Sequence, residues 1–377
     1  MNKKKIKILQ VNKFYYPWIG GVEKVVQDLS EGLKEQADIT VLACHPKGKL
    51  SKENIFGVNV VKAGSFGKYF SMPISISFFS CFKRLSKESD VICIHMPFPL
   101  ADLASLFFGK NKKILLWWHS DVVKQKKLML LYKPLLMWML KRADAIIVAT
   151  EGHIKGSKYL KEFQDKCKII PFGIDLKKYP EQNKKILTSL LYKKSHKKVL
   201  FVGRLVYYKG IDVMIESFRN VSGCELFIVG DGVLRDSLKE KTEKYSLHNI
   251  VHFMGKLSDN ELKAAFADCD IFVLPSVENS EAFGLVQLEA MVYKKPVINT
   301  SLSTGVPFVS LDGITGLTVR PSDPDSLSDA IQKLVDDDEL RKNFGENAFD
   351  RVKNVFSQEK MLDGFLDECK NIIQKQF

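Results

Sequence analysis

The stretch Glu278-Asn279-Ser280-Glu281-Ala282-Phe283-Gly284-Leu285-Val286-Gln287-Leu288-Glu289-Ala290 decides how the chain is read. It follows a short apolar run, Asp270 to Ser276, whose length and composition predict a buried strand. Beyond Gly284, Leu285, Leu288, Met291 and Val292 share one face at helical spacing. The segment is therefore strand, polar loop and helix start. The first backbone N–H groups of a helix lack intrahelical acceptors, so those near Gly284, Leu285 and Val286 form an anion site. Glu281 lies before the helix and Glu289 inside it, roughly 7 Å along the axis from the site. That layout suits a ligand with a diphosphate in the middle and hydroxyl-bearing rings at both ends. It also suits a plain helix whose acidic first turn favours the macrodipole.

Strand and helix alternate on both sides of this stretch. Lys7–Asn12, Ile39–Cys44, Val58–Lys62, Asp90–His95, Lys113–Trp118 and Ala143–Thr150 read as strands, as does Lys168–Asp175, ending in a turn. Gly64–Pro73 reads as a loop and 75–87 as a helix. Lys198–Val202, Glu225–Val229, Ile250–Met254, Ile271–Leu274, Val297–Asn299 and Gly316–Val319 continue the series. Such alternation implies parallel sheets with helices on both faces. The chain has 377 residues, too many for one core. The expected fold is α/β: two doubly wound, Rossmann-like domains facing a cleft. The boundaries are 1–175, a polar, lysine-rich linker at 176–197, and 198–356, followed by a terminal helix at 357–377.

Composition narrows the function. Seven cysteines, odd in number and without a CxxC pair, exclude a disulfide framework or zinc ribbon and point to a reducing compartment. No apolar run is long enough to span a bilayer, and the lysine-rich start runs directly into a strand pattern rather than a signal peptide. The net charge of +13 is uneven: residues 1–198 carry 37 Lys and Arg against 16 Asp and Glu, the rest 20 against 28. A basic half suggests an anionic surface, either nucleic acid or membrane. No nucleic-acid recognition motif accompanies it. Residues 124–142, with Lys124, Lys126, Lys127, Lys133 and Lys141 among leucines and an interrupting Pro134, suit a helix resting on an anionic membrane. A buried helix with basic ends is the other reading.

Several loops follow strands, where open α/β sheets bind ligands. Gly20-Gly21 separates the first strand from an amphipathic helix. His119-Ser120-Asp121 ends the Lys113–Trp118 strand. Arg204 and Lys209, in Gly203-Arg204-Leu205-Val206-Tyr207-Tyr208-Lys209-Gly210, sit in one strand-to-helix loop and can address one anion. Asp268-Cys269-Asp270 mimics a metal-binding DxD but stands at the wrong end of its strand.

Taken together, Gly20-Gly21, His119-Ser120-Asp121, Gly203-Arg204-Leu205 with Lys209-Gly210, Gly230-Asp231-Gly232 and Glu281…Glu289 resemble the retaining, metal-independent GT-B glycosyltransferases, over nearly the whole chain. The resemblance implies that the second domain binds a UDP- or GDP-linked sugar with no cofactor and no metal. Arg204, Lys209 and the amides of Phe283, Gly284, Leu285 and Val286 would hold the diphosphate, and Glu289 the ribose. Glu281 and His119 would contact the transferred sugar. Gly20 and Gly21 would approach the diphosphate, and Asp121 would contact sugar or acceptor. The implied product is a surface polysaccharide or glycolipid grown on a lipid-linked acceptor at the inner face of the membrane. The terminal helix would return to the first domain. Phe308 departs from the pattern, standing where an acid follows proline in the family. A nucleotide-sugar epimerase of the same fold and a non-catalytic anion or nucleic-acid binder are the competing readings.

Overall fold

A computed structural model of the chain describes residues 5–18, 20–69, 72–121, 126–182, 184–190 and 193–375, with the side chains of 126–128 excepted. The chain divides into two compact units: Met1–Phe172 with Gln358–Phe377, and Gly173–Ser357.

The first unit opens with β1 (Lys7–Val11), α1 (Gly21–Leu33) and β2 (Asp38–Cys44). β3 (Ser51–Ile55) and β4 (Val58–Ala63) form a hairpin, and β5 (Lys68–Tyr69) and β6 (Met72–Pro73) a smaller one. Then come α2 (Ser77–Glu88), β7 (Val91–Met96), α3 (Pro99–Phe108), β8 (Lys113–Trp118), α4 (Lys126–Arg142), β9 (Ala145–Val148), α5 (Glu151–Gly156) and β10 (Cys167–Ile169). The sheet order is β10-β9-β8-β7-β1-β2-β4-β3, parallel except for β3. Every residue of β7 is buried, as a strand covered on both faces requires. Phe78, Phe82, Phe98 and Trp118 fill one side of the core.

The second unit contains β11 (Lys197–Val202), α6 (Ile211–Ser217), β12 (Cys224–Val229), α7 (Arg235–Lys244), β13 (Val251–Gly255), α8 (Asp259–Asp268) and β14 (Ile271–Val273). It ends with α9 (Val286–Val292), β15 (Val297–Thr300), α10 (Val306–Val309), β16 (Gly316–Val319), α11 (Pro324–Asp336) and α12 (Asp338–Val355). Its sheet, β13-β12-β11-β14-β15-β16, is wholly parallel. The last helix, α13 (Gln358–Gln374), belongs to the first unit, where Phe365 packs 5.7 Å from Trp117. The strand order reverses between β1 and β7 in one unit and between β11 and β14 in the other. In each sheet that reversal marks where open α/β folds carry a ligand crevice, outside the strand carboxyl ends.

Three local readings change. The polar strand β3 escaped notice because neither of its faces is apolar, and its turn at Phe56-Gly57 has positive φ at both residues. β5 and β6 lie inside the segment read as a loop. Pro134 does not interrupt its helix: α4 continues through it, with Leu136, Met139 and Leu140 buried on one face. Burial of those side chains offsets the roughly 3 kcal/mol that an internal proline costs. Lys124 falls outside the described residues.

The linker reading at 176–197 is also corrected, because the stretch is packed onto the second unit. The Asp268 carboxylate accepts from the amides of Leu187 and Thr188 and from Thr188 Oγ1, at 2.7–2.9 Å. Glu225, fully buried, accepts from Lys193 N at 3.0 Å, His196 Nδ1 at 2.9 Å and His252 Nε2 at 2.8 Å. Lysine-rich composition suggested a tether, but two buried carboxylates clamp its backbone. The same observation disposes of the DxD lookalike: Asp268 holds this stretch, and Asp270 accepts from Lys198 N at 2.7 Å.

Candidate active site

In the second unit, the loops after β11 and β14 bring two predicted residues into contact. Lys209 Nζ lies 2.5 Å from Glu281 Oε2, and each side chain is 11% exposed. Ser276 Oγ donates to the same oxygen at 3.1 Å. Lys209 ends a short 3₁₀ turn, Tyr207–Lys209, and Gly210 follows with φ +67°. A Cβ there would sit 2.0 Å from the carbonyl oxygen of Pro275, so only glycine lets the two loops approach. Arg204 is exposed and donates to Tyr208 Oη at 2.9 Å. The cation pair is thus divided, with Lys209 committed to Glu281 and Arg204 facing solvent.

Gly284 has φ +73°, and a Cβ on it would meet Leu274 Cδ2 at 2.5 Å. The first bond of the following turn runs from Gln287 N to Gly284 O at 2.9 Å, so the amides of Gly284, Leu285 and Val286 precede it. Phe283 contributes backbone only. Its side chain is 3% exposed and packs edge-on to Phe356 with centroids 6.0 Å apart. Glu289, one turn into α9, accepts from Tyr179 Oη at 2.9 Å. Phe308 packs against Phe356 and lies under the Arg351 guanidinium, so the departing position serves packing and a cation–π contact.

In the first unit, Gly20 is extended and Gly21 opens α1. A Cβ on Gly20 would collide with the carboxylate of Glu23. His119, 6% exposed, follows β8 directly and is stacked on Phe172 with centroids 5.5 Å apart at 7°. Its Nε2 lies 2.9 Å from His95 Nδ1, and His95 Nε2 lies 2.8 Å from Gln10 Oε1. Burial drives His119 well below the ordinary histidine range, and the neighbouring His95, His153 and Lys13 push it the same way. Burial takes His95 down to about 3. Both rings are therefore neutral at physiological pH and act through hydrogen bonds, not charge. Asp121 is occupied: its carboxylate accepts from Ser157 Oγ at 2.7 Å and from Lys158 N at 3.0 Å, which fixes that turn. Among the described residues, no group of three or more His, Cys, Asp or Glu side chains is arranged to hold a metal ion.

Sequence reasoning missed Ser276, Tyr179, Gln10 and His95. The first two carry no spacing signal. Gln10 and His95 did carry one, as polar residues inside otherwise apolar strand patterns.

Two family models cover most of the chain. "Glycosyltransferase Family 4" matches residues 19–178 and "Glycosyl transferases group 1" matches residues 182–351. The D-rhamnosyltransferase WbpZ of Pseudomonas aeruginosa is 30% identical over 90% of this chain and 89% of its own. The O-antigen chain mannosyltransferase C of Escherichia coli is 29% identical over 98% and 100%. Sucrose-phosphate synthase from Thermosynechococcus elongatus shares the fold, with a TM-score of 0.82 at 20% identity over 99% of this chain and all of that one. Anabaena HepE, solved with UDP, gives 0.80 at 18% over 97% and all of that chain. The chain belongs to the group 1, family 4 glycosyltransferases: it is a sugar-transferring enzyme with two Rossmann-like domains of the GT-B type.

Proposed function

We propose that this enzyme moves a manno-configured hexose from a nucleotide sugar to a lipid-linked polysaccharide acceptor, with retention at the anomeric carbon and without a metal. The observation that carries the reading is the buried Lys209–Glu281 pair beside the Gly284–Val286 amides. Transfer builds negative charge on the departing diphosphate and positive charge at the sugar carbon. Lys209, Arg204 and the amides stabilise the first, as preorganised donors do in a water-poor site. Glu281 stabilises the second. With Lys209 and Ser276 both on Oε2, this carboxylate is ill suited to attack carbon, which favours acceptor entry on the leaving-group face. Glu289 takes the ribose hydroxyls, and His119 hydrogen-bonds a hydroxyl of the sugar.

The sugar class is supported by two relatives matched over nearly their full length, one named a mannosyltransferase and the other a D-rhamnosyltransferase. D-Rhamnose is 6-deoxymannose, so the two share ring configuration. A peripheral place on the cytoplasmic membrane face is supported by Leu130 and Leu131 on α4, 78% and 82% exposed, and by Phe107 on α3, 64% exposed. No described helix is long and apolar enough to cross a membrane.

The test is nucleoside diphosphate release from UDP- and GDP-linked mannose, rhamnose, glucose and galactose, with and without lipid-linked acceptor and EDTA. Release from a manno-configured donor that is EDTA-resistant, acceptor-dependent and lost in Glu281→Gln supports the proposal. Release confined to a gluco- or galacto-configured donor refutes the sugar, and loss in EDTA refutes the metal-free reading. The anomeric coupling in the product reports retention. Sedimentation with anionic vesicles, abolished by Leu130→Glu/Leu131→Glu, tests the membrane reading.

A further inference from the structure

Gln10, His95 and His119 come from three neighbouring parallel strands, β1, β7 and the end of β8. Their exposures are 0%, 1% and 6%. Around them the first unit is apolar and aromatic. His95 is stacked between Trp117, at 5.9 Å and 13°, and His119, at 5.2 Å and 23°. Trp117 and Phe172 close the stack at 6.0 Å. The stack alone could be built from apolar rings, and buried polar groups are costly unless their partners are in place. The two histidines and the amide therefore need a reason.

A neutral imidazole has one N–H and one bare nitrogen, and the partner of one nitrogen decides the state of the other. Gln10 Oε1 can only accept, so His95 Nε2 carries the hydrogen and His95 Nδ1 is bare. That bare nitrogen accepts from His119 Nε2–H, leaving His119 Nδ1 bare. The outcome is a hydrogen-bond acceptor at the carboxyl end of β8. Turning the Gln10 amide by half a turn would reverse every donor in the line. Gln10 Nε2, buried without a partner, offers no competing bond within the described residues.

We infer that Gln10 and His95 are positioning residues that set the tautomer of His119, so that its Nδ1 accepts a hydrogen bond from a hydroxyl of the transferred sugar. The inference rests on the reading of His119 as a sugar contact. It adds a direction, since a sugar position lacking a hydroxyl donor cannot be held there. It also adds two residues, neither of which touches substrate.

The experiment uses full-length enzyme with 15N-labelled histidine, with the His119 resonances assigned by their loss in His119→Gln. Two-bond 1H–15N correlations distinguish the tautomers. The expected result is Nε2–H for His119 in the wild type, lost or mixed in Gln10→Met and in His95→Phe. Both variants should lower kcat/KM by roughly tenfold while the unfolding transition stays in place. A donor lacking the relevant hydroxyl should be transferred equally by wild type and Gln10→Met, which a merely structural role would not produce. An Nδ1–H tautomer in the wild type, or an unchanged one in Gln10→Met, overturns the relay. Normal transfer by His119→Ala, with the tautomers as expected, overturns instead the sugar contact on which the inference rests.

Discussion

Lys209→Met separates what the buried ion pair does for stability from what it does for chemistry. With its lysine removed, the Glu281 carboxylate keeps Ser276 as its one side-chain partner among the described residues, in a place where its side chain is 11% exposed. Breaking a buried pair from one side costs about 3–5 kcal/mol, because an uncompensated charge is left behind. The lower end applies here, about 3 kcal/mol, since Ser276 still solvates the oxygen. For a unit of this size that corresponds to roughly 6–12 °C in Tm. Glu281→Gln costs less, about 1–2 kcal/mol, since an amide oxygen can still accept from Lys209. The double variant Lys209→Met/Glu281→Gln removes both charges and should lie within about 1 kcal/mol of wild type. The assay has a built-in resolution. All four tryptophans, Trp18, Trp117, Trp118 and Trp138, precede residue 173. Fluorescence therefore follows the first unit alone, while far-UV circular dichroism follows both. The single variant should move the dichroism transition that fluorescence does not share, and the double variant should restore it. Transfer should stay at least about a hundredfold down in the double variant, stable or not. Recovery of activity with stability would show the pair to be structural. A single variant no less stable than the double would show the charges to be better solvated than their burial implies.

Three further outcomes follow from particular contacts. Tyr179→Phe removes the hydroxyl that donates to Glu289, leaving the ring against Tyr293. Steady-state kinetics should show donor KM raised about fivefold with kcat nearly unchanged, and an unchanged KM would remove Tyr179 from the site. Gly210→Ala forces a Cβ to 2.0 Å from Pro275 O at φ +67° and should cost at least about 2–3 kcal/mol in chemical denaturation. Asp102, fully buried under the hydroxyl of Tyr132, has its carboxyl pushed up to about 7 by desolvation from an ordinary 3.8. Between those pH values the folded chain holds a proton that the unfolded chain has released, so stability falls as pH rises, by up to about 4 kcal/mol. Asp102→Asn should flatten that fall in tryptophan-monitored unfolding between pH 4.5 and 7.5, and parallel wild-type and variant curves would count against it.

Much of this was legible in the sequence, and what escaped notice has a physical pattern. Buried parallel strands announce themselves as apolar runs, so the two sheets and the order of their loops could be read directly. β3 could not, because a polar edge strand lacks the alternation that burial imposes. Composition misleads over 176–197, because it records solvent-facing side chains and is blind to backbone amides captured by Asp268 and Glu225. At the candidate site, motif spacing nominated Glu281, Glu289, Arg204 and Lys209 individually. It could not reveal that Lys209 and Glu281 pair, since that depends on how closely β11 and β14 bring their loops together. Nor could motif position reveal that the Phe283 side chain packs in the core, leaving only its backbone for the proposed role, or that the Asp121 carboxylate also holds the turn at Ser157.

The distribution of charge makes sense once the two units are considered separately. Residues 1–198 hold the excess of lysine, yet the candidate catalytic group of the first unit is a neutral histidine in an aromatic stack. The basic excess is therefore not spent on that histidine. It lies on the surface, where Lys133 on α4 stands beside the exposed Leu130 and Leu131. Surface charge acts at long range and is screened by salt, whereas a buried neutral hydrogen bond is not. If the acceptor is lipid-linked on an anionic surface, as proposed, the enzyme has use for both. The second unit is close to neutral, with 25 Lys and Arg against 26 Asp and Glu, and it pairs Lys209 with Glu281 while Arg204 donates to Tyr208. On the proposed function, attraction to a surface, recognition of a hydroxyl and stabilisation of a leaving group fall to different residues, each of which can be removed without abolishing the others.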